Sequence, residues 1–293
     1  MAEQALDPTR RVELLLRVGE IEEISDQPQQ AFRTYSRALR EDPGAEDTVE
    51  RLERLARSNG MLEDLVALYA DLASDRGQGD RAVAFESKTA RLLERDIGDL
   101  ARATKAYESV LQMRPDHLDA LVALEELHRR TDSFTSLVDV LRRKADLVET
   151  DSAKKDAFFR AAQIYEDILE SPDGAADVYN KILEIDDTDA AALGALERIY
   201  LRQEKWDSLK DVYVRKANLA QDPDDKKQSY YVLGQVYESE LHDVDRAIET
   251  YLAVLDIDSE DATALHALER LYGQAERWHD LHGVLERQLP LAR

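Results

Sequence analysis

No cysteine occurs among the 293 residues, which removes disulfides, thiolate metal sites and a thiol nucleophile from consideration. Glycine (11) and proline (7) are sparse, so the chain holds little of the material from which tight β-turns are made. Aromatic residues make up only 6%. No apolar run approaches the roughly 20 residues that a membrane span needs. The opening MAEQALDPTRRVELLLRVGEIEE has no apolar segment of signal-peptide length, and the expectation is a cytoplasmic protein without membrane contact. Positive charge is also in short supply, with 39 Lys and Arg against 62 Asp and Glu and a formal net charge of −23. A field of that sign disfavours nucleic acid and anionic membranes; it favours a basic partner, or serves solubility and mutual repulsion alone. Among the bases, Arg (28) outnumbers Lys (11), a bias suited to a GC-rich or salt-adapted source and to a bacterial protein.

What is present is 43% hydrophobic and 34% charged, with apolar residues spaced three and four apart as in amphipathic helices. The pattern repeats. Tyr35, Tyr107, Tyr179 and Tyr251 step by 72 positions, as do Ala31, Ala103, Ala175 and Ala247 before them and Leu39, Leu111, Leu183 and Leu255 after them. The same step relates Glu22, Glu94, Glu166 and Glu238, then Glu53, Glu125, Glu197 and Glu269, then Leu65, Leu137, Leu209 and Leu281. Four superunits, approximately 9–78, 79–150, 151–222 and 223–293, account for the chain. In the second, helices are expected at 81–97, 99–113, 117–131 and 134–149, with prolines such as Pro43 and Pro115 just past a helix end. The later superunits carry Asp187 and Ser259 there. Short links join antiparallel neighbours, so the units read as stacked helical hairpins, sixteen helices and no strand. Ala, Tyr and Leu at spacing four share one helix face, where the small Ala lets a neighbouring helix approach.

These residues carry a resemblance. Ala31, Tyr35, Ala38 and Pro43, and their copies Ala103, Tyr107, Val110 and Pro115, resemble the second helix and exit proline of a tetratricopeptide repeat, with Tyr in place of the usual Phe. LGQVY, Leu233 to Tyr237, is similar to the first-helix signature of that family. The resemblance covers the chain as eight hairpins, with departures: the mean hairpin is 36 residues against about 34 in the family. Alternate hairpins also carry Glu125 or Glu197 at the Gly position and Leu137 or Leu209 at the second-helix Ala. The resemblance implies one all-α solenoid over 1–293, a right-handed superhelix whose first helices line a concave groove. Carried over from Leu233 and Gly234, the groove positions are Tyr231, Gln235 and Glu238 and, one superunit earlier, Phe159, Gln163 and Glu166. The alternate hairpins place Arg54, Glu126, Arg198 and Arg270 at the equivalent of Gln235. The Lys and Asn clamp with which chaperone-binding members hold a carboxylate is missing at these positions, so capture of a chaperone tail is disfavoured. The function implied is a non-catalytic scaffold that binds a protein or peptide, with a basic one suited to the net charge. The alternative is a self-assembling or spacer segment of a longer array, joined end to end, because the chain opens almost directly on a first helix and closes on LERQLPLAR without a polar capping helix.

Candidates for chemistry each have a simpler structural explanation. Catalysis needs one asymmetric constellation, whereas Glu53, Glu125, Glu197 and Glu269 place the same carboxylate four times. Glu269 lies about 100° from the centre of the stripe formed by Leu265, Leu268 and Leu271, at the flank of the buried face, and these carboxylates are expected to bond a neighbouring helix or its basic residues. Trp206 and Trp278 correspond to Leu62 and Phe134, so that position is expected in the inter-helix core. EIDDTDAA and DIDSEDAT lack the central Gly and closing Glu of a calcium loop; helix capping is the expectation for them. His279 and His282 have metal-compatible spacing but no second ligand pair. RGQGD, 76–80, is expected to be a connection that lengthens one link. No nucleophile elbow, phosphate loop or dinucleotide fingerprint occurs. Neither an enzyme, a resident metal nor a cofactor is expected.

Overall fold

The computed structural model describes residues 7–74 and 79–291, which form sixteen α-helices and, among the described residues, no strand. The chain divides into two compact units, 1–147 and 148–293, at one of the superunit junctions. The first holds α1 (Pro8–Ile24), α2 (Pro28–Glu41), α3 (Glu46–Asn59), α4 (Leu62–Ser74), α5 (Asp80–Leu92), α6 (Leu100–Met113), α7 (Leu118–Arg130) and α8 (Phe134–Leu147). The second holds α9 (Asp151–Asp167), α10 (Pro172–Ile185), α11 (Ala190–Arg202), α12 (Trp206–Leu219), α13 (Pro223–Gln235), α14 (Val244–Ile257), α15 (Ala262–Gln274) and α16 (Trp278–Gln288). In each unit, consecutive helices pack into four hairpins. Most of the expected link at 76–80 lies outside the described residues, and no described helix is long and apolar enough to cross a membrane.

The hairpin turns repeat as faithfully as the apolar stripe. Each contains one residue in the left-handed region: Asp26, Gly60, Gly98, Asp132, Glu170, Glu204, His242 and Glu276. Their separations alternate between 34 and 38 positions, which resolves the mean of 36. The four extra residues sit in the first helix of every other hairpin: α1 and α9 have 17 residues, and α5 and α13 have 13 plus a five-residue π-helical turn, against 13 or 14 in α3, α7, α11 and α15. A turn of α-helix is about 3.6 residues, so alternate first helices are longer by one turn. In the shorter hairpins, the backbone N–H after the left-handed residue returns to a carbonyl five residues back, at 2.9 Å in all four copies: Met61 to Ala56, Ser133 to His128, Lys205 to Tyr200 and Arg277 to Tyr272. This reversal closes the helix and satisfies one of its terminal carbonyls.

The core follows the repeated stripe. Ala31, Ala103, Ala175 and Ala247 are buried, as are the Tyr and Leu four and eight residues on from each. The recurring Glu spans each shorter hairpin. Glu53 accepts from Tyr69 at 3.3 Å, Glu125 from Lys144 at 2.8 Å, Glu197 from Tyr213 and from Lys216 at 2.5 Å, and Glu269 from Gln288 at 3.0 Å. The donor always comes 16 or 19 positions later, on the second helix of the same hairpin, which bears out the structural role expected for these carboxylates. The tryptophans require a correction. Trp206 is only half-buried and Trp278 is 63% exposed. The position lies at the start of a second helix, and Trp206 there lines an open cleft with residues of α13 such as Gln228 and Val232.

Glycine alone adopts the left-handed region without a steric cost, and other residues pay about 1–2 kcal/mol there. Glu204→Gly should therefore raise unfolding stability by about 0.5–1 kcal/mol, and Gly60→Ala should lower it by about 1 kcal/mol, as read by chemical denaturation followed by circular dichroism.

Candidate partner groove

In the second unit, the first helices are fastened to one another in pairs, with the same chemistry used twice. Lys155 of α9 donates to Asp186 at 2.7 Å and Asp189 at 2.9 Å. Asp189 also caps α11, accepting from the backbone N–H of Ala191 at 3.1 Å and Ala192 at 3.0 Å. One superunit later Lys227 of α13 lies 3.3 Å from Asp258 and 3.7 Å from Asp261, and Asp261 accepts from the N–H of Ala264 at the start of α15. The aspartate-rich links thus act as helix caps, as expected. At the opposite end, Arg198 of α11 donates to Glu166 of α9 at 2.6 Å, and Arg270 of α15 donates bidentately to Glu238, its Nη2 at 2.9 Å. Tyr179 donates to the same Glu166 at 2.7 Å. Gln163 and Gln235 stand between these fastenings with exposed side chains.

Electrostatics follow the contacts. The Lys155 ammonium, helped by Thr188, holds the Asp186 carboxyl down at about 2 and is itself raised by the two carboxylates. Burial, then a hydrogen bond to Asp261, pushes the Tyr231 phenol well above its ordinary range. Burial and the bond to Glu166 do the same for Tyr179.

The sequence-derived positions fall into three groups. Tyr231, Gln235, Glu238 and Arg270 come together in one cleft of about 950 Å3, whose wall also includes Leu201, Trp206 and His266. Phe159, Gln163, Glu166 and Arg198 form the corresponding level on α9 and α11, where Phe159 meets Tyr179 edge-on at 6.1 Å between centroids. Arg54 and Glu126 belong to the first unit. Arg54 of α3 pairs with Glu23 of α1 at 2.8 Å, repeating the Arg198–Glu166 contact, whereas Glu126 stands where the other superunits have arginine and accepts from Arg129 of its own helix at 2.8 Å. The charged members are therefore engaged within the fold. Trp206, Leu201 and His266 were missed as cleft residues. His266 stands one turn before Arg270 on the same helix face, and that spacing was the available signal.

Replacing Lys155 by Met removes the cation that depresses Asp186. The Asp186 carboxyl, titrating near 2 in the parent chain, should move up toward the ordinary value of about 3.9, as followed by carboxyl-carbon NMR. A depressed carboxylate contributes stability above its unfolded pKa that is lost as pH falls through the folded one. The parent should therefore lose this contribution between about pH 4 and pH 2, and the variant should keep only the smaller part that the Thr188 hydrogen bonds support.

Two tetratricopeptide-repeat models match consecutive hairpins, one over residues 192–227 and the next over 227–261. Superkiller protein 3 of Schizosaccharomyces pombe is 23% identical over 234 residues, 79% of this chain, and the match spans 16% of that protein's length. Among solved structures, a tetratricopeptide repeat protein from Parabacteroides merdae is 13% identical, with 89% of this chain and 99% of that one covered and a TM-score of 0.36. MamA is 21% identical over 68% of this chain and 94% of its own, with a TM-score of 0.30. With repeat models falling in register on α11–α12 and α13–α14, and the same turns and stripe recurring through both units, the chain is a TPR-like helical-repeat protein.

Proposed function

We propose that this protein is a non-catalytic scaffold that holds a peptide segment of a protein partner in the cleft between α13 and α15. TPR repeats support an interaction scaffold in general; the choice of this cleft rests on one observation. Here side chains left without a structural task line one cleft. Gln235 and His266 are exposed and Trp206 is half-buried, while Glu238 and Arg270 beside them neutralise each other. An apolar anchor flanked by amide donors and acceptors suits an extended peptide: Gln235 can pair with a backbone amide, and Trp206 with Leu201 offers a surface for one apolar side chain. Because Glu166 and Glu238 each accept from an arginine, a basic partner would be drawn by the net charge of −23 during approach rather than read at these carboxylates.

The test is selection of binders from a random-peptide display library on the whole chain, followed by affinity measurement on variants. Gln235→Ala and Trp206→Ala should each weaken selected peptides about tenfold or more, in line with losses of about 1.4 kcal/mol or more at interface anchors. Arg215→Ala, in a separate hollow between α10 and α12, should leave affinity unchanged. Peptides that respond to Arg215→Ala and ignore both cleft variants would refute the assignment.

A further inference from the structure

The outer faces of the second helices repeat in position but not in charge. On α2, Arg33, Arg37 and Arg40 are exposed and stand four and three residues apart, along one side of the helix. In the following superunits the place of Arg33 passes to Lys105, Asp177 and Glu249, and that of Arg40 to Gln112, Glu184 and Asp256. The repeat therefore accepts either sign at these places, and packing does not dictate the arginines. Arg40 donates to Asp71 of α4 at 3.1 Å. Arg33 and Arg37 make no ion pair and no side-chain hydrogen bond among the described residues.

The three arginines line a cleft of about 520 Å3 between α2 and α4, where the buried Phe32, Met61 and Leu68 contribute apolar surface and Asp64 is the one acid on the wall. Both walls belong to described, consecutive hairpins. The corresponding clefts have the opposite balance. Between α6 and α8 one arginine is set against Glu108 and Asp139, and between α10 and α12 one is set against Glu184 and Asp187.

We propose that the cleft between α2 and α4 binds an acidic segment of a partner protein, at a site separate from the cleft between α13 and α15. Charge complementarity carries the assignment: in a chain of net charge −23, cations without a partner converge on one concave place. Their spacing suits a peptide. Arg33 and Arg37 are separated by about 6 Å along the helix axis, close to the roughly 6.8 Å between alternate residues of an extended chain. Acids at every second position can then each meet one guanidinium, whose planar fork matches a carboxylate, while the residues between them face the apolar side of the cleft. A second copy of this chain is a poor occupant, because its aspartate-rich links are engaged: Asp186 and Asp189 hold Lys155, and Asp261 caps α15. The like charge of two such bodies also opposes their approach. A nucleic acid would extend its phosphates beyond the arginines over an acidic surface.

The experiment is fluorescence anisotropy on the whole chain with a short labelled peptide that alternates Glu with Leu. Binding should saturate and should weaken as salt rises. Arg33→Gln combined with Arg37→Gln should weaken it about tenfold or more, with the fold checked by circular dichroism. Asp64→Asn removes the opposing carboxylate and should tighten binding about threefold, a gain that loss of structure cannot produce. Gln235→Ala and Trp206→Ala should leave this peptide unaffected, which separates the site from the cleft between α13 and α15. The same peptide with Gln for Glu should not bind. Affinity that ignores both the double arginine variant and Asp64→Asn would overturn the proposal, as would equal binding of the Gln peptide. A single-stranded RNA that binds the same arginines more tightly than the peptide, or self-association of the parent that the double variant abolishes, would overturn it in favour of a different occupant.

Discussion

The stack depends first on how closely the helices of the longer hairpins approach. The tyrosine at the centre of α2, α6, α10 and α14 is buried, and at Tyr35 and Tyr251 the facing position is a glycine whose hydrogen stands where a Cβ would lie within 3 Å of the ring. A bulky ring set against a bare backbone fixes the distance between two helices and their relative rotation. The alanine one turn before it and the leucine one turn after it carry the same contact along the helix. At the edges of this packing a left-handed residue closes each hairpin, and the recurring glutamate of each shorter hairpin takes a donor from its second helix, so the polar groups there are satisfied.

The polar ties divide the labour between constancy and variation. Glutamates 53, 125, 197 and 269 find a donor each time, but the donor changes: a tyrosine at position +16, a lysine or glutamine at +19, or both in the case of Glu197. Between hairpins, Arg54, Arg198 and Arg270 take the carboxylates of Glu23, Glu166 and Glu238. At exposed positions such pairs contribute little stability one by one; they also occupy charges that would otherwise be free on the cleft. What the groove offers is then amide, imidazole and aromatic surface rather than a line of free acids.

The helices, the superunit and the buried stripe were legible in the sequence because apolar spacing and a fixed period are written in the side chains themselves. Two features were not. Glu170, Glu204 and Glu276 adopt left-handed backbone, although glutamate has no local preference for it; hairpin packing imposes the turn, so no residue signal marks it. The offset of α1 was likewise hidden. Glu22 falls in the 72-residue series, but Glu23 makes the contact with Arg54, because the turn after α1 closes five residues back, Gln27 to Glu22, where those after α5 and α13 close six back, Asp99 to Leu93 and Asp243 to Tyr237. Of the candidate groove, Tyr231, Gln235, Glu238 and Arg270 were found together. The pairing that neutralises Glu238 depends on a separation of 32 positions that only the hairpin length sets, and the share of Trp206 in the cleft wall was obscured by its apolar counterparts Leu62 and Phe134.

The central claim is that repeated residues build the stack and the differing ones on the first helices of the second unit receive a partner. Hydrogen exchange read by mass spectrometry, with and without a partner protein captured on the whole chain, tests it most directly. Protection is expected on α13 and α15, around Gln235 and His266. Protection confined to the second helices α10, α12 and α14 would contradict it.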